Sequence, residues 1–252
     1  MENEYIVEGR NTVIEVLKSD REINKVLIQK GERNGSINDI IKLAKNRGLV
    51  IVETEKNKLD QISLTKHHQG VIVYTAPQKY VEVEDILKIA EEKGEQPFLV
   101  ILDGIEDPHN LGSIVRTAEI AGVHGIIIPK RRTALVTETV EKISVGATNY
   151  LPIARVSNLN NTIENLKKNN VWIIGTDMDA RDLHYNTDLS GGIALVIGSE
   201  GKGMSRLVKE NCDILIKIPM KGHITSLNAS VSAGISIYEV VRQRDLNRKK
   251  NF

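Results

Sequence analysis

Between residues 98 and 218 the chain repeats one pattern: a short apolar, β-branched run, a polar turn, and in several places a stretch with helical spacing. The runs are Phe98 to Leu102, Gly125 to Ile128, Leu151 to Val156, Val171 to Gly175, Ile193 to Ile197 and Ile214 to Ile218. Helical patterns lie at Leu111 to Ala121, Leu159 to Lys168 and Met204 to Glu210, and a long one follows at Ser226 to Arg244. Strands that are apolar on both faces must be covered on both faces, and helices between them imply parallel pairing. The pattern therefore predicts an α/β fold with a mostly parallel sheet. Ligands of such sheets bind beyond the carboxyl ends of the strands. The loops after Leu102, Ile197 and Ile218 are where chemistry is expected.

Upstream, apolar-periodic segments (Thr12 to Leu17, Ile37 to Ala44) alternate with short β-branched runs (Lys25 to Gln29, Leu49 to Val52, Val71 to Tyr74), which predicts a second, small α/β domain. Two domains suit a chain of 252 residues. Between them, Pro77 and Pro97 bracket an acidic stretch with an amphipathic stripe of Val83, Ile86, Leu87 and Ala90. It reads as a linker carrying a short helix. The division expected is 1–76 for the first domain, 77–97 for the linker and 98–252 for the second.

Composition removes several classes. The single cysteine, Cys212, can form neither an intramolecular disulfide nor a cysteine-rich zinc site, and no metal centre is expected. The first thirty residues hold no apolar core of signal-peptide length, and nowhere do 18 consecutive apolar residues occur. A cytoplasmic protein with no membrane anchor is expected. The net charge of +1 argues at first against a nucleic-acid partner. Partitioned, the charge reads differently: residues 1–79 hold 13 basic and 11 acidic side chains, 80–98 hold 2 and 6, and 99–252 hold 19 and 16. The acidic linker masks two mildly basic domains. Lys130, Arg131 and Arg132 form one basic cluster, and Arg242, Arg244, Arg248, Lys249 and Lys250 another; such runs are most often solvated surface.

The three loops contain the unusual residues. Gly198-Ser199-Glu200-Gly201-Lys202-Gly203 suggests a phosphate loop, but Met204 and Ser205 follow where a Walker loop needs Lys and then Ser or Thr. A dinucleotide fingerprint fails too, because Arg206 stands at its third glycine position. The bland reading is a tight strand-to-helix turn, which leaves Glu200 unexplained. Asp107-Pro108-His109-Asn110 reads as a turn and helix cap. Arg116 then falls nearly two turns into that helix, roughly 9 Å along its axis, where an arginine is usually a snorkelling surface residue. Ser226 or Asn228 caps the last helix. That helix has an apolar stripe of Leu227, Val231, Ile235, Tyr238 and Val241 with small residues between, suited to burial in the core, to an interface, or to both.

NLGSIVRTA, VIGSEGKGMS and IPMKGHITSLNASVSAGI, in that order, resemble the three motifs of the SpoU (TrmH) family of RNA 2′-O-ribose methyltransferases, in the SPOUT superfamily. That resemblance covers residues 98–244. GRNTVIEVL (9–17) and HHQGVIVY (67–74) further resemble the substrate-binding domain, of ribosomal-protein-like fold, of the bacterial enzymes that methylate a guanosine ribose of large-subunit rRNA.

The resemblance implies a deep trefoil α/β knot that holds S-adenosylmethionine, with Gly198, Ile218 and Leu227 as cofactor-binding positions. It implies that Arg116 activates the ribose hydroxyl, with Asn110, Glu200, Ser226 and Asn228 completing the site. A guanidinium, with a pKa of about 12 or higher, is an awkward base, so Arg116 is expected to be essential either as base or as a positioner of hydroxyl and phosphate. Glu200 is expected to orient Arg116 or a neighbour. The family also implies a homodimer whose final helix packs on the partner, and an RNA substrate, with no DNA partner. A guanosine of 23S rRNA is the leading substrate; tRNA, a ribosomal adenosine, or a non-catalytic RNA-binding role in ribosome assembly are the alternatives. Aromatic residues make up 4% of the chain, so phosphate contacts rather than base stacking should dominate. Arg10, Lys130, Arg131, Arg132 and the C-terminal tail are the candidates.

Overall fold

A computed structural model describes residues 5–31, 34–75 and 79–250, the side chains of 248–250 excepted. The chain divides into two compact units, one drawn from 1–79 and 135–150, the other from 80–134 and 151–252.

The N-terminal unit runs β1 (Tyr5–Glu8), α1 (Arg10–Lys18), β2 (Ile23–Gln29), α2 (Ile37–Asn46), β3 (Ile51–Thr54), α3 (Lys56–Ile62) and β4 (Val71–Thr75). The sheet order is β1-β4-β2-β3, with β4 antiparallel to β1 and β2, and β3 parallel to β2. Side chains alternate across it. Val26, Ile28, Val71 and Val73 bury one face with Val13 and Val16 of α1 and Ile37 and Ile40 of α2. Leu27 and Ile72 bury the other face with Leu59 of α3. Strand β1 and helix α3 were not expected from the sequence. Both are short, and α3 has only one buried side chain, Leu59, so neither shows a period.

The C-terminal unit contains α4 (Val83–Glu92), β5 (Phe98–Asp103), α5 (Pro108–Ile120) and β6 (Gly125–Pro129). After α6 (Glu138–Ile143) and a 3-10 turn (Ala147–Asn149) come β7 (Ile153–Val156), α7 (Leu159–Lys168), β8 (Trp172–Thr176), β9 (Asp182–Leu183), β10 (Ile193–Gly198), α8 (Arg206–Glu210), β11 (Ile214–Lys217) and α9 (Ala229–Lys250). The seven strands lie in the order β7-β6-β5-β10-β8-β11-β9, and every pairing is parallel. The all-apolar runs are the central strands, with Leu99 to Leu102 and Ala194 to Val196 fully buried. Helix α4, inside the acidic stretch, buries Val83, Ile86 and Ala90 on this sheet. Gly125 makes room for it: a Cβ there would stand 2.6 Å from Ile86 Cδ1.

Residues 135–150, by contrast, pack with the N-terminal unit. Val140 and Ala147 are buried there, the Tyr5 hydroxyl donates to the Val136 carbonyl at 2.9 Å, and the Tyr150 hydroxyl donates to Glu15 at 2.5 Å. Arg21 and the fully buried Glu141 form an ion pair. Burial pushes the Glu141 carboxyl up to about 7 although Arg21 pulls the other way.

Helix α9 shows which of its faces is inward. Ala229, Ala233, Ser236, Ile237 and Val240 are buried, whereas Val231, Ile235 and Tyr238 of the expected apolar stripe are exposed. Gly234 faces α5, where a Cβ would make an ordinary contact of 3.8 Å with Thr117 Cγ2.

Candidate active site

The site is built at the carboxyl ends of β8, β10 and β11. Where β10 ends, the chain folds back on itself: Ser199 and Gly203 exchange backbone hydrogen bonds of 3.0 and 2.9 Å, and Gly203 takes φ +64°. Gly198 has to be glycine for this turn. A Cβ on it would lie 2.3 Å from the Gly203 carbonyl carbon and from the Met204 nitrogen. The Ser205 N–H then donates to Asp103, at the end of the neighbouring β5, at 2.6 Å. The bland reading of this loop as a tight turn is correct, and the turn also has a consequence: it projects Glu200 over the sheet end.

Glu200 is a hub. Its Oε1 accepts from Asn110 Nδ2 at 3.1 Å, from the Ala229 N–H at 3.2 Å, and from Asn228 Nδ2. Asn228 Nδ2 also donates to Asn110 Oδ1 at 2.9 Å. The other end of the Asn228 carboxamide caps α9, accepting from the Ser230 N–H at 2.9 Å and the Val231 N–H at 3.3 Å. Asn228, not Ser226, is therefore the cap. Asn110 is buried in the first turn of α5, which Pro108 opens and Asp107 caps by accepting from the His109 N–H at 2.8 Å. Three motifs far apart in the chain thus meet at one carboxylate oxygen.

Beside this cluster lies a cavity of about 410 Å³ lined by Gly198, Glu200, Ile218, Ser226 and Leu227, among others. All three expected cofactor positions line it. Its size falls in the range of small-molecule sites. Thr176, Asp177 and Lys209 also line it, and none of them was singled out from the sequence. Asp177 and Lys209 form an ion pair of 2.7 Å, and the hydrogen bond that the ammonium donates to Asp177 holds the lysine above its usual range. The loop after Thr176 sits at a strand's carboxyl end like the others, and that position was the signal available for finding it.

Arg116 stands apart from the cluster. It is exposed on α5, does not line the cavity, and makes no hydrogen bond or ion pair among the described residues. Glu200 engages Asn110 and Asn228, the neighbours, and not Arg116. No group of three or more His, Cys, Asp or Glu among the described residues could hold a metal ion. No helix among them is long and apolar enough to cross a membrane.

Several known proteins share this architecture. Residues 97–238 match the SpoU rRNA Methylase family, and residues 6–81 match the domain described as RNA 2′-O ribose methyltransferase substrate binding. The Bacillus subtilis protein YacO, named for the TrmH family of tRNA/rRNA methyltransferases, is 52% identical over 97% of this chain and 97% of its own length. The SpoU methyltransferase AviRb from Streptomyces viridochromogenes, solved in complex with AdoMet, superposes with a TM-score of 0.81 at 23% identity, covering 97% of this chain and 92% of that one. An AdoMet-bound rRNA methyltransferase from Sinorhizobium meliloti gives 0.78 at 24% identity, covering 95% and 87%. These likenesses show the fold class that the sequence predicts. With the two domain matches and the 52% identity to YacO, they establish that this chain belongs to the SpoU family of RNA methyltransferases.

Proposed function

We propose that this protein transfers a methyl group from S-adenosylmethionine to the ribose 2′-hydroxyl of a guanosine in 23S ribosomal RNA. The observation that carries the reading is the convergence of Asn110, Glu200 and Asn228 at the mouth of a cavity lined by Gly198, Ile218 and Leu227. The rRNA assignment is supported by the substrate-binding match over residues 6–81 and by near-complete coverage against an rRNA methyltransferase.

The residues fit the cofactor. The cavity is large enough, and its lining carries both acids (Asp177, Asp179, Glu200) and lysines (Lys202, Lys209, Lys217), which suits a ligand that itself bears charges of both signs. S-adenosylmethionine supplies there an electrophilic methyl group on a sulfonium. The chain's own task is to bring a ribose hydroxyl into line and remove its proton as the new bond forms, and positioning provides much of the rate in such a reaction. Glu200 fixes two carboxamides and the start of α9 in one geometry, so that the cavity mouth is ordered before RNA arrives. The five guanidinium N–H donors of Arg116 stay available for the ribose hydroxyl and an adjacent phosphate. Ser226 lies at the cavity rim as a further hydroxyl donor.

In this reading residues 1–76 select the RNA, 77–97 join the parts and 98–252 carry the reaction, with 135–150 packed on the N-terminal unit. The working form is a homodimer in the cytoplasm. The exposed apolar stripe of Val231, Ile235 and Tyr238 on α9 supports a second copy of the chain as its cover.

The test is ribose-methylation mapping of rRNA and tRNA from cells with and without the protein. Loss of one methyl group at a single 23S guanosine is the expected result; a loss confined to tRNA, or to an adenosine, would replace the substrate named here.

A further inference from the structure

The basic residues that could meet RNA are not equivalent in the structure. Arg10 is committed within its own domain, donating to the Gln69 carbonyl at 2.9 Å and the Asn34 carbonyl at 3.1 Å. Arg242 is paired with Glu239 at 2.6 Å. Arg244 donates to the carbonyls of Gln96, Pro97 and Gly191 at 2.7 to 3.0 Å and lies over the Phe98 ring. The side chains of Lys130 and Arg131 make no hydrogen bond or ion pair among the described residues, and both line a second cavity, of about 460 Å³.

That cavity lies beyond the carboxyl ends of β6 and β7 and is completed by Ser157, Asn158, Asn160 and Ser205. No carboxylate lines it. The oxygens of both asparagines are already used: Asn158 Oδ1 accepts from the Asn160 N–H at 2.9 Å, and Asn160 Oδ1 accepts from Asn211 at 2.9 Å. Their amide N–H groups therefore remain as donors, beside two cations and two hydroxyls. The loop carrying the cations is held from behind. The Lys130 N–H donates to the Val156 carbonyl at 2.8 Å, and Arg155, which lies over the Tyr80 ring, donates to the Lys130 carbonyl at 3.0 Å. A preformed recess rich in donors and free of acids is complementary to an anion.

Its place gives the anion's identity. Gly203, Met204 and Lys209 line the first cavity, while Ser205 and Val208 line the second, so the start of α8 is a wall common to both. We propose that the Lys130–Arg131 cavity binds a backbone phosphate of the RNA substrate, next to the nucleotide presented to the first cavity. The assignment rests on the reading of the protein as an enzyme acting on RNA. It adds a contact that fixes the register of the strand without reading its sequence.

The test uses the full chain and an unmodified 23S rRNA transcript. Binding is measured over a series of salt concentrations, alongside methyl transfer, S-adenosylmethionine affinity and thermal unfolding, for wild type, the double variant K130E/R131E and the conservative pair K130R/R131K. Expected for the double reversal are a loss of RNA affinity of about tenfold or more at low salt and a salt slope shallower by roughly 1, the value for one phosphate contact. Cofactor affinity and melting should be unchanged, with near-wild-type binding retained by the conservative pair. A double reversal whose affinity and slope match wild type overturns the proposal. A wild-type protein that binds the transcript without methylating it removes the proposed reaction, yet the slope comparison still decides the phosphate site.

Discussion

The carboxylate of Glu200 and the carboxamide of Asn110, 90 residues apart in sequence, share a hydrogen bond of 3.1 Å, and the same carboxylate oxygen also holds Asn228. One acid thereby ties the β10 turn to the first turns of α5 and α9. Replacing it by glutamine keeps the shape and one accepting oxygen but removes the charge that strengthens these hydrogen bonds. Glu200→Gln should lower methyl-transfer kcat by about 10² to 10³ while S-adenosylmethionine affinity falls much less. Single-turnover kinetics with calorimetry checks this, and a variant of wild-type kcat would remove Glu200 from the site.

Gly198 is excluded from any substitution by backbone atoms that cannot move without opening the turn. Gly198→Ala should destabilise the protein by about 3 kcal/mol and abolish cofactor binding, because the turn and the cavity wall are one structure. Thermal melting and titration calorimetry decide it; unaltered binding would mean that the Ser199–Gly203 turn opens at little cost.

Arg116 is an exposed side chain with no hydrogen-bond or ion-pair partner among the described residues. Arg116→Ala should therefore change stability by no more than about 0.5 kcal/mol and leave cofactor binding intact, yet reduce methyl transfer by roughly 10³ or more. Near-normal turnover by this variant is the outcome that would sink its assigned role.

The stripe of Val231, Ile235 and Tyr238 predicts a concentration-dependent dimer. Ile235→Asp places a charge in the middle of that stripe and should shift sedimentation from dimer to monomer, with the circular dichroism of the chain preserved. An unchanged sedimentation profile would assign the stripe to no self-association.

Burial pushes the Cys212 thiol up to about 12. At about pH 8 only roughly one molecule in 10⁴ then carries the reactive thiolate. Iodoacetamide labelling of the native protein should be slow at that pH and rise about tenfold per pH unit, whereas urea-unfolded chain labels quickly. Equal rates in the two states would show the thiol to be accessible.

The catalytic architecture was largely legible because its signals are local. Runs such as FLVIL and IALVI are short, bounded by turn residues and rich in β-branched side chains, which favours doubly covered strands, and Gly198 ends one of them where a turn follows. Less legible were features fixed by tertiary packing. The stripe on α9 reads as a core face from its apolar spacing, but the helix buries a second face, Ala229, Ala233, Ser236, Ile237 and Val240, and a helix with apolar residues on two faces does not say from its own period which one packs inward. Asp177 and Lys209 belong to no motif, and their pairing spans the loop after β8 and helix α8, so no spacing in the sequence singles them out. Glu200 was suspected of orienting Arg116 or a neighbour. Only coordinates could choose between them, since all three side chains have compatible chemistry.

Residues 135–150 give the N-terminal unit an unusual schedule during synthesis. Tyr5 meets Val136 across 131 residues, Arg21 meets Glu141 across 120, and Glu15 meets Tyr150 across 135. A chain emerging from the ribosome with residues 1–79 complete still lacks Tyr150 for Glu15 and Glu141 for Arg21. The first unit to be translated cannot reach its final packing until β5, α5 and β6 of the second have been made. Such long-range closure slows folding, and a truncated N-terminal fragment would expose the surface that α6 is meant to cover.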